Sequence, residues 1–205
     1  MSPNHQPITY LFVDGSNLYG SQYELFGPKQ YLNFAKFRMC LETILKVQFS
    51  QIFFYASYSP KPLDPTPKQL AFLKNEGLFY HSVKNTPKLT FFKGYRSKTS
   101  GKEKEVDVKL AVDIVDFAWQ NKYQNAYILT GDADFMHALI VGQRLKKRIE
   151  LLCMSNNIMY KGSFYYDTHI LHGGMSSQQM SKVSTNLSKK FVHWHQLLFP
   201  IESIT

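Results

Sequence analysis

Cysteine is nearly absent from this chain of 205 residues; there are two, Cys40 and Cys153. They lie far apart, each inside an apolar-periodic segment, so they read as buried free thiols and not as a disulfide framework. Long hydrophobic runs are missing as well, and the longest falls well short of the roughly 20 residues that span a bilayer. The N-terminal stretch MSPNHQPITY has neither the basic nor the apolar region of a signal peptide. A cytoplasmic protein without membrane contact is therefore expected. No Gly-x-Gly-x-x-Gly and no P-loop occurs, which leaves dinucleotide and ATP binding without support. Acids are scarce: 15 Asp and Glu stand against 24 Lys and Arg, a formal net charge of +9 with a pI near 9.4. That excess favours a polyanionic partner, nucleic acid first.

What is present is a globular composition, 44% hydrophobic and 15% aromatic, enough for one sizeable core with an appendage. Residues 8–13 (ITYLFV) read as a strand covered on both faces. Residues 33–47 carry Phe34, Phe37, Leu41, Ile44 and Leu45 at helical spacing. Residues 51–57 (QIFFYAS) read as a second buried strand. Four prolines between 60 and 67 lead into a helix with Leu70, Phe72 and Leu73 inward, ended by Gly77. Residues 78–83 are expected as a weaker strand and 89–92 as a short one. Residues 105–120 form a helix with two adjoining apolar faces, one of them Val108, Val112, Val115 and Trp119. Its polar stripe runs through Glu105, Lys109, Asp113 and Asp116. Residues 127–129, 135–147 and 149–154 complete an alternation of strand and helix. That rhythm predicts an α/β fold with a mostly parallel sheet of about five strands and helices on both faces.

The segment 127–135, YILTGDADF, organises the rest. A buried strand stops at Thr130-Gly131, and Asp132 and Asp134 follow at the start of a helix. Asp14-Gly15-Ser16-Asn17 repeats the plan after the first strand. In a parallel sheet such strands end on one edge, where ligands bind. Asp107, in the first turn of its helix and on the stripe of Leu110, Ala111 and Ile114, is expected to point inward. Carboxylates about 5 Å apart repel by roughly 3 kcal/mol per pair at an effective dielectric near 20. Either some protonate or a cation sits among them. Without a histidine or cysteine cluster the cation would be Mg2+ or Mn2+ rather than zinc. Such a site suits phosphodiester hydrolysis. The bland alternative is that these residues are turn and cap residues. It accounts for Asp14 or Asp134 alone, but not for Asp107 or the repetition.

FVDGSNLY (12–19), KEKEVDVKLAVDIV (102–115) and ILTGDADF (128–135) together resemble the NYN domains of the LabA-like group, within the PIN-like nucleases. The resemblance covers residues 8–172. It implies a three-layer, Rossmann-like (PIN-like) sandwich and metal-dependent nuclease activity, usually on RNA. The family's acidic positions fall on Asp14, Asp107, Asp132 and Asp134, with Asn17 supporting Asp14 or the substrate. The position of Asp113 often carries another acid; helical pitch puts it on the polar stripe, behind the site or on the surface. Ala133 stands where the family often has glycine.

Thr130 or Asn17 could orient a ligand by hydrogen bonding, and Ser16, a possible helix cap, is a secondary candidate. The segment 84–104 should overhang the site, and Lys93, Arg96, Lys98, Lys102 and Lys104 are candidate phosphate contacts, with Phe91, Phe92 or Tyr95 able to stack on bases. His137 follows the acids closely but reads as surface or core. The pairs His169/His172 and His193/His195 have no acid or cysteine partner for zinc. Residues 1–172 are expected as the catalytic domain and 173–205 as a polar linker and docking segment. Trp194, Leu197, Leu198 and Phe199 would pack against this chain or a second copy, which leaves a homodimer open. The expected function is endoribonuclease action on single-stranded RNA. Its competitors are a non-catalytic RNA- or protein-binding module and a metal-dependent phosphatase.

Overall fold

The computed structural model describes residues 6–26, 30–96, 103–153, 184–186 and 198–200. Its strands are β1 (Thr9–Asp14), β2 (Gln30–Leu32), β3 (Gln51–Ala56), β4 (Leu89–Lys93), β5 (Tyr95–Arg96), β6 (Glu103–Lys104), β7 (Asn125–Leu129), β8 (Arg148–Cys153), β9 (Ser184–Asn186) and β10 (Leu198–Pro200). The helices are α1 (Gly15–Phe26), α2 (Phe34–Leu45), α3 (Pro67–Lys84), α4 (Val106–Trp119) and α5 (Met136–Arg144). The central sheet runs β4-β3-β1-β7-β8-β9, and every pairing in it is parallel. Five full strands bear out the expected sheet, and the three-residue β9 extends its edge.

Side chains alternate across this sheet as the period of two requires. Leu11, Val13, Ile52 and Phe54 face one core, closed by Leu18 and Tyr19 of α1, Phe34, Phe37 and Leu41 of α2, and Phe79 and Tyr80 of α3. Phe12, Tyr55, Ile128 and Leu151 face the other, closed by Val106, Leu110 and Ile114 of α4 and by Ala138 and Leu139 of α5. Both faces are covered, which is why the strands read as unbroken apolar runs. The resulting three layers are the Rossmann-like sandwich expected from the sequence.

Local chemistry sets the helix ends. Asn33 caps α2 by accepting the Lys36 N–H at 3.1 Å. Thr66 and Gln69 form a reciprocal capping box at the start of α3, with Pro67 in its first turn. The strand expected at 78–83 is instead the second half of α3, which passes through Gly77. Those residues are good strand formers, but Glu76, Phe79, Tyr80 and Val83 recur at helical spacing on the buried side. Packing of that stripe outweighs the roughly 1 kcal/mol that an interior glycine costs a helix. Leu70, expected inward, is exposed.

Helix α4 also differs from expectation. Only one of its two apolar faces meets the sheet, and Val108 (68%), Val112 and Trp119 (77%) are exposed. The buried arc extends the other way, to Asp113. Of the two cysteines, Cys40 is a half-buried free thiol, and the Cys153 side chain lies outside the described residues. In 173–205, β9 joins the central sheet and β10 pairs antiparallel with β2. The expected boundary at 172/173, His169, His172, His193, His195 and Trp194 lie outside the described residues. Among the described residues no helix is long and apolar enough to cross a membrane.

Two backbone features position the functional edges. Four of the turns leading into strands at the amino edge of the sheet contain a residue in the left-handed region: Lys46, Lys88, Asn121 and Lys146, with φ of 55°, 59°, 55° and 61°. Each gives up roughly 1 kcal/mol relative to glycine there. At the opposite, carboxyl edge, β1 turns into α1 through Gly15. A β-carbon on Gly15 would stand 2.1 Å from the Phe54 ring and 2.8 Å from the Tyr55 carbonyl oxygen. Gly15→Ala should therefore lower stability by about 1–3 kcal/mol through overpacking, which a thermal melt reads as a fall of roughly 2–4 °C per kcal/mol.

Candidate active site at the carboxyl edge of the sheet

Asp14 is the last residue of β1, the third strand in the sheet order, and only 4% exposed. It shares the face of Phe12 and Tyr55, so its carboxyl lies beneath the start of α4. Asp14 Oδ1 accepts the Asn17 backbone N–H at 3.0 Å, which makes Asp14 the side-chain cap of α1. Its Oδ2 accepts the Thr130 hydroxyl at 2.8 Å. Thr130 is itself buried and its hydroxyl oxygen accepts the Asp132 N–H at 3.1 Å. The Asn17 side-chain oxygen accepts the Gly131 N–H at 2.9 Å. Two strand-end turns, 116 residues apart in the chain, are thereby stitched to each other.

Asp132 Oδ1 accepts the Asp134 N–H at 3.0 Å and so caps the single 3-10 turn Ala133–Phe135. Asp134 is exposed, as is His137. Asp107 lies in the first turn of α4 and is exposed, not buried as expected. In that turn Val106 is buried in the core while Asp107 and Val108 are exposed. Asp107 and Asp132 are nonetheless close enough to act on Asp14. Burial, first of all, pushes the Asp14 carboxyl from 3.8 up to about 7; the Asn17 and Thr130 hydrogen bonds oppose this, and the charges of Asp107 and Asp132 add to it.

Asp113 takes the first of its two expected places, behind the site. It is 5% exposed, accepts the Tyr55 hydroxyl at 2.8 Å and pairs with the ammonium of Lys109. Six residues at 100° carry it well round from Asp107, yet the sheet-facing arc of α4 is wide enough to include it. Tyr55 was legible only as strand core. Its phenol, pushed far up by burial and by Asp113, is a polar group the sequence reading missed. The register pairing Tyr55 with Asp14 is the signal that locates it under the site. Phe91 and Phe92 also depart from expectation: they are half-buried, one packed against each core, and are not free to stack on bases. Tyr95 is 56% exposed and remains available.

Of the candidate phosphate contacts, Lys93 is exposed at the end of β4, its ammonium 5.3 Å from the Tyr58 ring centroid. Lys84 approaches the same ring at 5.3 Å and bonds its hydroxyl. The Arg96 and Lys104 backbones belong to the β5–β6 pair that leads into α4. Lys98 and Lys102 lie outside the described residues. Ser16 sits half-buried in the first turn of α1.

The donors offered for a cation are hard carboxylate oxygens, a set that suits Mg2+ or Mn2+ in kind. Asp14 Oδ1 accepts from Asn17 and Oδ2 from Thr130, and a carboxylate oxygen has a second lone pair for a cation. Among the described residues, however, no three acid, histidine or cysteine side chains stand close enough together to enclose an ion. The acids form an open crest, not a closed cage.

A parallel three-layer α/β sandwich with such a crest on its carboxyl edge has the build of the PIN-like class. The family model of the NYN domain matches residues 8–164, and the chain belongs to that family. This supports a PIN-like nuclease fold. A similar solved structure is that of a protein of unknown function from Vibrio parahaemolyticus, 18% identical, covering 75% of this chain and 84% of that one, with a TM-score of 0.52. At that identity the likeness shows the fold alone. No curated protein matches the chain.

Two predictions test the electrostatics. Unfolded Asp14 ionises near pH 3.8 and folded Asp14 near 7. Below about pH 4 it is protonated in both states and carries no penalty. Between pH 4 and 7 the unfolded state holds fewer protons, so metal-free stability should fall, by about 4 kcal/mol in all. Urea titrations across that window should show the fall, and Asp14→Asn should flatten it. Tyr55→Phe leaves one Asp113 oxygen without its buried donor and should cost about 1–3 kcal/mol in the same titration.

Proposed function

We propose that this chain is a metal-dependent endoribonuclease of the LabA-like group that hydrolyses phosphodiesters of single-stranded RNA. The observation that supports it most is the state of Asp14: a buried carboxyl at a strand end, raised to about 7 by its surroundings, with Asp107 and Asp132 adding negative charge. A divalent cation would relieve that repulsion. Asp14, Asp107, Asp132 and Asp134 would hold it, the exposed Asp107 and Asp134 closing the crest that Asp14 and Asp132 begin. When bound, the ion would supply an acidified water and charge neutralisation at a phosphate oxygen.

The chain's own residues do the rest. Asn17 and Thr130 fix the Asp14 carboxylate and hold the two turns in register. The positive end of α1 and the Thr130 hydroxyl favour the ionised form that a cation needs. Asp113, anchored by Tyr55 and Lys109, holds α4 on the sheet beneath Asp107. Lys93, Arg96, Lys98, Lys102 and Lys104, on the segment leading into α4, would position the RNA backbone, and Tyr95 is placed to stack on a base.

The test is cleavage of end-labelled single-stranded RNA in Mn2+ or Mg2+ by wild type, Asp14→Asn and Asp132→Asn. Both variants should be slower by about 100-fold or more, the scale of losing a group that stabilises developing charge. Equal rates in all three would sink the reading. A readout apart from activity is the melting temperature, which Mn2+ should raise in wild type and not in Asp14→Asn. The open spacing of the acids favours one second reading, a module that binds RNA or a protein without cutting it. Unchanged RNA affinity with no cleavage in any metal would select it.

A further inference from the structure

The amino edge of the sheet, opposite the carboxylates, carries a second concentration of charge. Four turns meet there: residues 46–50 before β3, 85–88 before β4, 120–124 before β7 and 145–148 before β8. They contain Lys46, Lys88, Lys122, Lys146, Lys147 and Arg148, and no Asp or Glu. Arg148 pairs with Glu150, and Lys147 bonds the side chain of Asn121. Among the described residues, Lys46, Lys88, Lys122 and Lys146 have no carboxylate within ion-pair distance, and all four are exposed.

Three of these four occupy left-handed backbone positions, Lys46, Lys88 and Lys146. Glycine or asparagine meets that backbone at lower cost, and Asn121 does so in the fourth turn. A turn that serves only to reverse the chain has no use for lysine there. With strands about 4.8 Å apart, the turns from β4 to β8 form a row roughly 19 Å long. A recess of about 440 Å³ opens on the same edge, lined in part by Gln6, Thr9, Glu42, Lys46, Gln48 and Asn125; Glu42 is held in an ion pair with Arg38. It gives the row a concave centre of mixed polarity.

We infer that this edge is a second, non-catalytic RNA-binding face, with Lys46, Lys88, Lys122 and Lys146 contacting phosphates. It lies about 20 Å from the carboxylate crest, the length of a six-residue strand. RNA engaged by both edges must therefore run around the body of the domain, and the amino edge would favour long chains over short ones. The inference rests on the nuclease reading only in its choice of RNA as the polyanion.

The test uses the full chain in EDTA, so that binding is read without cleavage. Fluorescence anisotropy of a labelled 40-nucleotide single-stranded RNA is compared between wild type and K46N/K88N/K122N/K146N. Asparagine suits the left-handed positions, so a melt equal to or above that of wild type confirms the fold. The variant should bind at least about tenfold more weakly, and the slope of log affinity against log salt should fall by about 3, as loss of four phosphate contacts to a single strand predicts. A labelled 6-nucleotide RNA should lose much less. Equal affinity and slope for the 40-mer overturn the inference. So does binding of wild type, lost in the variant, to phosphatidylserine vesicles but not to RNA, which would assign the edge to a membrane surface. Loss of RNA binding in the variant supports it even if the chain never cuts RNA.

Discussion

The Asp14 carboxyl holds the carboxyl edge together. One oxygen caps α1 through the Asn17 N–H and the other takes the Thr130 hydroxyl, so the group spans the joint between β1 and β7. Parallel pairing alone fixes the strands up to Val13 and Leu129. Beyond that point each chain turns into its own helix, and nothing in the ladder keeps the two turns together. The Asp14–Thr130 and Asn17–Gly131 bonds supply that link. They also explain why the motif residues at 14, 17, 130 and 131 come as a set: removing one leaves a buried donor or acceptor without its partner.

The same joint accounts for what was legible beforehand. Asp14, Asp132 and Asp134 could be placed from the sequence because parallel strands end on one edge, and apolar runs mark those ends clearly. Asp107 was placed near the site correctly and its burial wrongly. Helical periodicity gives direction around an axis, but not where along that axis the covering layer stops. Asp113 lies behind the site, one of its two expected places, because α4 lies over both β1 and β3 and buries Asp113, Phe117 and Ala118 to differing degrees; only its place on a polar, solvent-facing stripe differs. Residues 78–83 failed because strand propensity was allowed to outrank a helix already begun by a capping box. In each case the missing information was tertiary.

The molecule also separates its charge. Acids gather where strands end, and the turns where strands begin carry lysines without acids, although the segment from Lys93 to Lys104 adds basic residues at the carboxyl edge as well. Since a sheet with parallel strands presents all its carboxyl-end turns on one side, this polarity follows from topology once each turn has its residues. Lysines at left-handed positions and a buried carboxyl at a strand end are both choices that the fold alone does not favour. One costs backbone strain, the other desolvation.

That cost separates a turn residue from a functional one at position 14. Asp14 does cap α1, so the simplest structural role is realised. A cap, however, is served as well by serine or asparagine, which carry no charge to desolvate. Here burial, first of all, raises the carboxyl's pKa to about 7, with two further acids adding to the burden. A neutral cap would remove about 4 kcal/mol of that penalty at neutral pH. Aspartate is the cap that gains something in exchange: anionic oxygens at the carboxyl edge, where a cation can approach. The raised pKa of Asp14 is thus a cost that capping does not offset and that the proposed cation would.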